Sequence, residues 1–251
     1  EHWQAQGVLV MDPDRTLIGA DVHLETGVRL WPDVVLRGRT TIGARSEVRP
    51  GCWLEDTTVA ENVLIKPHCV CEQAEIGSGC QVGPMAHLRP GSVMEPKSKV
   101  GNFAEMKKTV LGEGAKANHL TYLGNTTVGK NANIGAGTIT CNYAGHGKHD
   151  TEIGEDAFIG SNSSLVAPVR IGRGAIVGAG STIGRNIPDE ALAVERAEQR
   201  VLDGYAPKLH RRNRQRADKK RETDSWPRIP PTSQASTPNN TRPPQQRPAP
   251  C

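Results

Sequence analysis

Aromatic residues are scarce in this chain, making up 4% of its 251 residues. That excludes an ordinary globular core built on large aromatic side chains. No apolar run approaches the roughly 20 residues that a membrane-spanning helix requires, and no basic-then-apolar leader opens the sequence. We therefore expect neither a transmembrane protein nor a secretory signal. The first residue is Glu1 rather than Met, so a fragment or a processed product is expected.

The six cysteines contain no C-x-x-C pair, which argues against a zinc ribbon or a disulfide framework. They are Cys52, Cys69, Cys71, Cys80, Cys141 and Cys251. We interpret them as small buried apolar residues in a protein of the reducing cytoplasm. No metal site is expected in this chain.

Charge is spread unevenly along the sequence. Residues 208–221 hold eight Lys and Arg and one Asp, and residues 222–251 add three Arg and two acids. The total of +4 therefore leaves −4 for residues 1–207. Nine of the 18 prolines lie in residues 207–250, a composition typical of a disordered tail. Because the tail lacks interleaved aromatics, we expect solvation or weak, salt-sensitive contacts rather than nucleic-acid or membrane binding.

An internal repeat of six residues dominates the remainder of the chain. An aliphatic residue, often followed by glycine, opens each hexad, as in Ile42-Gly43, Val100-Gly101, Ile134-Gly135 and Ile159-Gly160. This period fits neither an α-helix nor an alternating strand, but it fits a triangular parallel β-solenoid with three hexads per coil. The five-residue hexads and the long insertion after Thr140 fall at one corner, which supports a physical coil. The fifth hexad position is small, as a narrow prism requires.

The repeat predicts an all-β protein with four segments. These are a linker at 1–17, a β-helix at 18–187, a short C-terminal helical segment at 188–205 and a disordered basic, Pro-rich tail at 206–251.

The third position of each coil's middle hexad forms a column along one corner of the predicted prism. Its members in successive coils are Asn102, His119, Ala136, Ser161 and Ala179. From His119 to Ala179 is about 15 Å at roughly 4.8 Å per coil, the length of an extended pantetheine arm. Histidine can serve as a general base near neutral pH, with Asn102 or Glu105 orienting it. His119 as a plain surface histidine, with alanines serving only packing, is the alternative.

A second column brings Arg89 and Lys107 one coil apart. Two cations this close favour a bridging anion such as phosphate, although solvated face charges would give the same pattern. Tyr122 and Asn133 lie near the first column and suit a sugar. The insertion after Thr140 carries Asn142, Tyr143 and Lys148, and this loop can reach an adjacent subunit.

Several blocks resemble a known bacterial family. They are Leu88–Gly91 (LRPG), Val100–Lys108 (VGNFAEMKK), His119–Gly124 (HLTYLG), Asn133–Tyr143 (NIGAGTITCNY), Gly160-Ser161 and Leu165–Val169 (LVAPV). The family is the acetyltransferase domain of the bifunctional N-acetylglucosamine-1-phosphate uridyltransferase/glucosamine-1-phosphate acetyltransferases (GlmU), and the resemblance covers about residues 10–205. It implies a left-handed parallel β-helix and a homotrimer with active sites between subunits. It also implies acetyl transfer from acetyl-CoA to glucosamine 1-phosphate, which feeds UDP-N-acetylglucosamine, peptidoglycan and lipopolysaccharide synthesis.

The same resemblance assigns roles to individual residues. His119 would be the general base, whereas Arg89, Lys107, Tyr122, Asn133 and Lys148 would bind the sugar phosphate, Lys148 across the subunit boundary. Acetyl-CoA would be bound by Ala136, Asn142, Tyr143, Ser161, Ala179 and Arg196. The family's uridyltransferase half, with its magnesium site, has no counterpart in this chain. Two alternatives remain: a hexapeptide acyltransferase with another acceptor, and a non-catalytic trimeric scaffold whose basic tail recruits a partner.

Overall fold

The computed structural model describes residues 2–223 of the chain. It divides into two compact units, Glu1–Ala197 and Glu198–Cys251. Among the described residues, all strands lie in the first unit, together with a short N-terminal helix α1 (His2–Ala5) and a 3₁₀ turn at Pro13–Arg15. The described part of the second unit contains helix α2 (Ala206–Thr223). No helix among the described residues is both long and apolar enough to cross a membrane.

The strands of the first unit form three flat faces. The first face is an 11-stranded parallel sheet. Its strands are Leu9–Val10, Arg29–Leu30, Glu47–Val48, Leu64–Ile65, Gln81–Val82, Lys99–Asn102, Lys116–His119, Asn133–Ile134, Phe158–Ile159, Ile176–Val177 and Leu192–Ala193.

The second and third faces belong to one 17-stranded sheet that folds over a corner. The second face holds Leu17–Ile18, Val35–Arg37, Trp53–Glu55, Val70–Glu72, His87–Leu88, Ile139–Cys141, Ser164–Val166 and Thr182–Ile183. The third holds His23–Leu24, Thr41–Ile42, Thr58–Val59, Glu75–Ile76, Ser92–Met94, Thr151–Ile153 and Val169–Ile171. Two longer strands, Glu105–Leu111 and Tyr122–Val128, run across both faces.

Pairing between coils confirms the predicted parallel β-helix. Val100 pairs with Ala117, and Ala117 pairs with Ile134, each in parallel register. These partners are 17 residues apart, as expected of three hexads of which one has five residues. The aliphatic residue that opens each hexad points into the prism, where Ile65, Leu88 and Leu123 are fully buried.

The fifth hexad position is small because the prism is narrow. All 14 of these side chains are at most 3% exposed: Ser46, Cys52, Cys69, Cys80, Ala86, Ser92, Ser98, Ala104, Ala115, Ala132, Ala157, Ser163, Ala175 and Ser181. Burial raises the pKa of the Cys71 and Cys80 thiols, which keeps them neutral. The interpretation of the cysteines as buried is wrong for Cys141, which is exposed on the second face. Cys251 lies outside the described residues.

The ends of the solenoid differ from the predicted boundaries. Leu9–Val10 already pairs with Arg29–Leu30, so the ladder begins within the segment predicted as a linker. No helix forms at 188–205; instead Leu192–Ala193 adds a last strand beside Ile176–Val177. Main-chain pairing with an exposed sheet end outweighs helix propensity there.

Helix α2 corrects the prediction for the tail, because its 18 residues lie in the segment expected to be disordered. Eight of those 18 residues are Arg or Lys, which are good helix formers. The rest of the predicted disordered tail lies outside the described residues.

Candidate functional site

The predicted corner column, hereafter the His119 column, is present in the structure. It consists of Asn102, His119, Ala136, Ser161 and Ala179. One main-chain hydrogen bond per coil links its members: Leu120 N to Asn102 O at 3.1 Å, Gly137 N to His119 O at 3.2 Å, Asn162 N to Ala136 O at 2.7 Å, and Gly180 N to Ser161 O at 2.8 Å. The column therefore runs straight along one corner of the prism.

His119 is the last residue of the strand Lys116–His119, and its side chain is exposed. Its Nδ1 lies 2.8 Å from Oδ1 of Asn102, its partner on the neighbouring strand. An amide oxygen only accepts, so Nδ1 carries the hydrogen and Nε2 keeps its lone pair. The imidazole is thus held in the tautomer that can accept a proton at Nε2. Of the two orienting residues considered, Asn102 makes this contact, whereas Glu105 bonds Arg89.

Beyond His119 the column presents little side-chain volume. Ala136 is half-buried, and Ser161 and Ala179 are exposed. The far end is closed by Arg196, whose Nη1 donates to the carbonyl oxygen of Ala179 at 2.7 Å. The result is a shallow track with an imidazole at one end and a guanidinium at the other.

A cation cluster lies on the second face beside this corner. It consists of Arg89, Lys107 and Lys148. Arg89 N bonds Met106 O at 2.9 Å, which sets Arg89 and Lys107 on adjacent coils. Arg89 donates to Glu105 at 2.7 Å, and that hydrogen bond raises the arginine pKa. The pKa of Lys107 is lowered, first by Arg89 and then by Lys148. Within one chain, the loop after Thr140 therefore holds Lys148 close enough to Lys107 to affect its pKa.

Tyr122 and Asn142 meet over Gly124 on the same face. A Cβ on Gly124 would lie 2.5 Å from Tyr122 Oη and 2.6 Å from Asn142 Nδ2, so only glycine leaves room for both groups. Asn142 is buried, and its Nδ2 donates to Oδ1 of Asn125 at 3.0 Å. Sequence reasoning missed Asn125, although its place one coil before Asn142 could have revealed it.

The loop after Thr140 is closed by an antiparallel bridge between Tyr143 and Lys148. Tyr143 is 66% exposed, and its hydroxyl donates to the carbonyl oxygen of Gly145. The loop thus carries Lys148, a member of the cation cluster, and the exposed ring of Tyr143.

Asn133 lies on a different face from the other residues predicted to bind the sugar phosphate through strands of the solenoid. It lies on the first face, where it pairs with Lys116 and Phe158. Arg89, Lys107 and Tyr122 belong to the second face. Joining Asn133 to those residues in one site requires a group that spans the corner or a second chain.

Sequence reasoning also missed an apolar ladder next to the His119 column. Met85, Phe103 and Leu120 are exposed by 48%, 55% and 61%, and they occupy successive coils. All three have left-handed backbones, with φ of 53°, 55° and 48°, a costly conformation for bulky residues. Their fixed position, directly after the third residue of the middle hexad, was the available signal.

Within residues 2–223, no three or more His, Cys, Asp or Glu side chains are grouped to hold a metal ion.

Comparison with known proteins gives a consistent result. Residues 150–185 match the family model "Bacterial transferase hexapeptide (six repeats)". The chain is 46% identical over 225 residues to the bifunctional protein GlmU of Alkalilimnicola ehrlichii, covering 90% of this chain and 48% of that protein. It is 51% identical over 200 residues to the GlmU of Pseudoalteromonas atlantica, covering 80% of this chain and 44% of that protein. The chain thus spans about half the length of the curated relatives it matches.

Among solved structures, the Francisella novicida UDP-N-acetylglucosamine acyltransferase aligns over 81% of this chain and 73% of that chain. The TM-score is 0.45 and the identity 12%, too low to bear on function.

Proposed function

The chain is related to the carboxyl-terminal acetyltransferase domain of the bifunctional GlmU proteins, and on that basis we propose that it acetylates glucosamine 1-phosphate with acetyl-CoA. The product is N-acetylglucosamine 1-phosphate, the precursor of UDP-N-acetylglucosamine. The observation that carries the proposal is the oriented His119 imidazole at the end of a small-residue track and beside a cation cluster.

His119 acts as the general base through Nε2. It accepts a proton as the sugar amine attacks the thioester carbonyl, so the C–N bond forms and a tetrahedral oxyanion develops. The oxyanion collapses, the C–S bond breaks, and the imidazolium protonates the departing thiolate. The hydrogen bond from Nδ1 to Asn102 fixes the ring in the required tautomer. No covalent intermediate on the protein is required.

The cation cluster holds the sugar phosphate. A phosphate between Arg89, Lys107 and Lys148 would relieve the mutual repulsion that lowers the pKa of Lys107. Tyr122 contacts the same sugar, and Asn133 completes the sugar site from the first face. This arrangement favours a phosphorylated amino sugar over a neutral one.

The track from His119 to Ala179 takes the pantetheine arm of acetyl-CoA. Ala136, Ser161 and Ala179 leave room for an extended chain, and the distance of about 15 Å follows from roughly 4.8 Å per coil. Arg196 lies at the end where the nucleotide phosphates would be. Asn142 and Tyr143 contact the cosubstrate from the loop.

The assembly, location and second activity belong to the same proposal. The protein is a cytoplasmic homotrimer whose Met85–Phe103–Leu120 ladder is covered by another subunit, since contiguous exposed apolar side chains mark protein contacts. The complete protein also makes UDP-N-acetylglucosamine from UTP, with magnesium, in a uridyltransferase half outside this chain.

Release of free thiol from acetyl-CoA tests the proposal. Glucosamine 1-phosphate should support turnover, and unphosphorylated glucosamine should support much less because the cation cluster is left unpaired. Equal turnover with both, or preference for another amine, would identify a different hexapeptide acyltransferase.

The His119→Ala variant provides the matched test of mechanism. It should lose acetyl transfer while retaining the wild-type circular dichroism spectrum and melting temperature, because His119 is exposed. Near-normal turnover by this variant would exclude His119 as the base. Failure of the wild-type chain to bind acetyl-CoA would favour the non-catalytic scaffold.

A further inference from the structure

Helix α2 is a second charged feature that acetyl transfer does not use. Between Ala206 and Arg221 it carries eight Lys and Arg and one Asp. Every side chain in that range is exposed. Like charges at helical spacing repel one another and lower helix stability. A helix of this composition is therefore a surface that an anion of matching length would stabilise.

The cations of α2 are concentrated on one side. Lys208, Arg212, Arg216 and Lys219 recur at intervals of four, four and three residues, which places them within an arc of about 80° at 100° per residue. We name these four residues the basic stripe. The 18 residues of α2 span about 27 Å at 1.5 Å per residue. A linear polyanion with closely spaced charges matches this length better than a single phosphate.

The composition of α2 distinguishes among polyanions. Leu209, 37% exposed, is its only large aliphatic residue, so the helix has no apolar face to insert into a membrane interface. It contains no Phe, Trp or Tyr, so it lacks the rings on which single-stranded bases stack. Duplex nucleic acid needs neither rings nor an apolar face, because phosphates supply its affinity.

We infer that α2 is a nucleic-acid-binding element whose basic stripe contacts the phosphates of a duplex without reading its sequence. A helix about 10–12 Å wide fits a major groove of about 12 Å. The expectation from the sequence was that the tail does not bind nucleic acid. That expectation rested on the lack of interleaved aromatics, which single-stranded bases need for stacking but the phosphates of a duplex do not.

Fluorescence anisotropy of the full 251-residue chain with a labelled duplex of about 12 base pairs tests the inference. Four phosphate contacts predict a slope of about −3.6 in log K against log salt, which is about 150-fold weaker binding at 200 mM than at 50 mM salt. Two duplexes of unrelated sequence should bind equally. No binding at 50 mM salt, or tighter binding to vesicles containing anionic lipid or to a single strand than to the duplex, would overturn the inference.

Two double variants remove the same charge from opposite sides of α2. R212Q/R216Q takes two cations from the basic stripe, so affinity should fall at least tenfold and the salt slope should fall by about two. R214Q/R221Q takes two cations from the opposite side and should leave the slope unchanged. Equal losses in both would refute the assigned side. Both variants should retain thiol release, so failure of this inference would leave the proposed acetyl transfer standing.

Discussion

At the scale of single residues, the hydrogen bond between Asn102 and His119 explains why the imidazole is held ready as a base. Asn102→Ala removes the acceptor for Nδ1–H and lets the ring rotate and change tautomer. We expect kcat to fall by roughly 10- to 100-fold, part of the 10²–10⁴ that general-base catalysis contributes, with little change in the KM for acetyl-CoA. Steady-state kinetics of thiol release measures both constants.

Asn102→Asp is the control for a positioning role. Its carboxylate still accepts from Nδ1, but it also stabilises the protonated imidazole. Activity should return toward the wild-type level, and the acid limb of the kcat profile should move to higher pH. An unmoved acid limb, or equal losses in the Ala and Asp variants, would mean that Asn102 is only structural.

The protonation of Lys107 gives a second prediction at this scale. Its pKa is lowered first by Arg89 and then by Lys148, because neighbouring cations disfavour the charged form. Arg89→Gln should therefore raise the pKa of Lys107, and bound glucosamine 1-phosphate should raise it in the wild-type chain. Lysine-resolved NMR titration measures the shift. Lys130, whose pKa is raised by its hydrogen bond to Glu113, is the reference and should not move; an unchanged Lys107 would contradict the repulsion.

The sequence predicted which residues share a column, because that depends only on the register between coils. Asn102, His119, Ala136, Ser161 and Ala179 lie in one column because each coil repeats the same geometry. It did not predict the contact that depends on rotamers and loop closure, namely Asn142 with Asn125. A repeat specifies which residues share a corner, whereas side-chain torsions decide which of them bond.

At the scale of secondary structure, the strands beside the site approach too closely for any side chain at Gly101. A Cβ there would lie 1.8 Å from the carbonyl oxygen of Asn118, so Gly101→Ala must push the strands Lys99–Asn102 and Lys116–His119 apart. We expect the free energy of unfolding to fall by about 1–3 kcal/mol and kcat to fall with it, because Asn102 separates from His119. Chemical denaturation and thiol release measure the two effects.

Gly184→Ala is the matched control for Gly101. Nothing lies within 4 Å of a Cβ at Gly184, so the same substitution should change the unfolding free energy by less than about 0.5 kcal/mol. If the Gly101→Ala and Gly184→Ala variants had the same free energy of unfolding, the two strands could not approach as closely as the structure shows.

Two predictions for the C-terminal region were wrong, each for its own physical reason. Residues 188–205 have helical propensity, but Leu192 and Ala193 gain more from pairing with Ile176 and Val177 at the end of the sheet. Residues 206–251 were assigned to disorder from overall composition, although the local run of Arg and Lys forms α2. Composition averages over segments, and propensity ignores available sheet edges.

At the scale of the whole molecule, the solenoid specifies a straight column but leaves one edge of it apolar. Stacking coils buries the inward residues completely, yet nothing within a single prism covers Met85, Phe103 and Leu120. Because Leu120 directly follows His119, a subunit that covers this ladder would also enclose the reacting groups. Assembly and catalysis are therefore coupled in the proposed trimer.

Phe103→Lys tests this coupling. A lysine at a position that another subunit covers must be desolvated without a partner, which opposes assembly. Sedimentation should show the wild-type at about three times the 27.0 kDa chain mass and the variant at a lower mass, with thiol release reduced in parallel. Val201→Lys, at a residue 71% exposed and outside the solenoid unit, should change neither. A Phe103→Lys protein that remains trimeric and fully active would place the subunit interface on a different part of the prism.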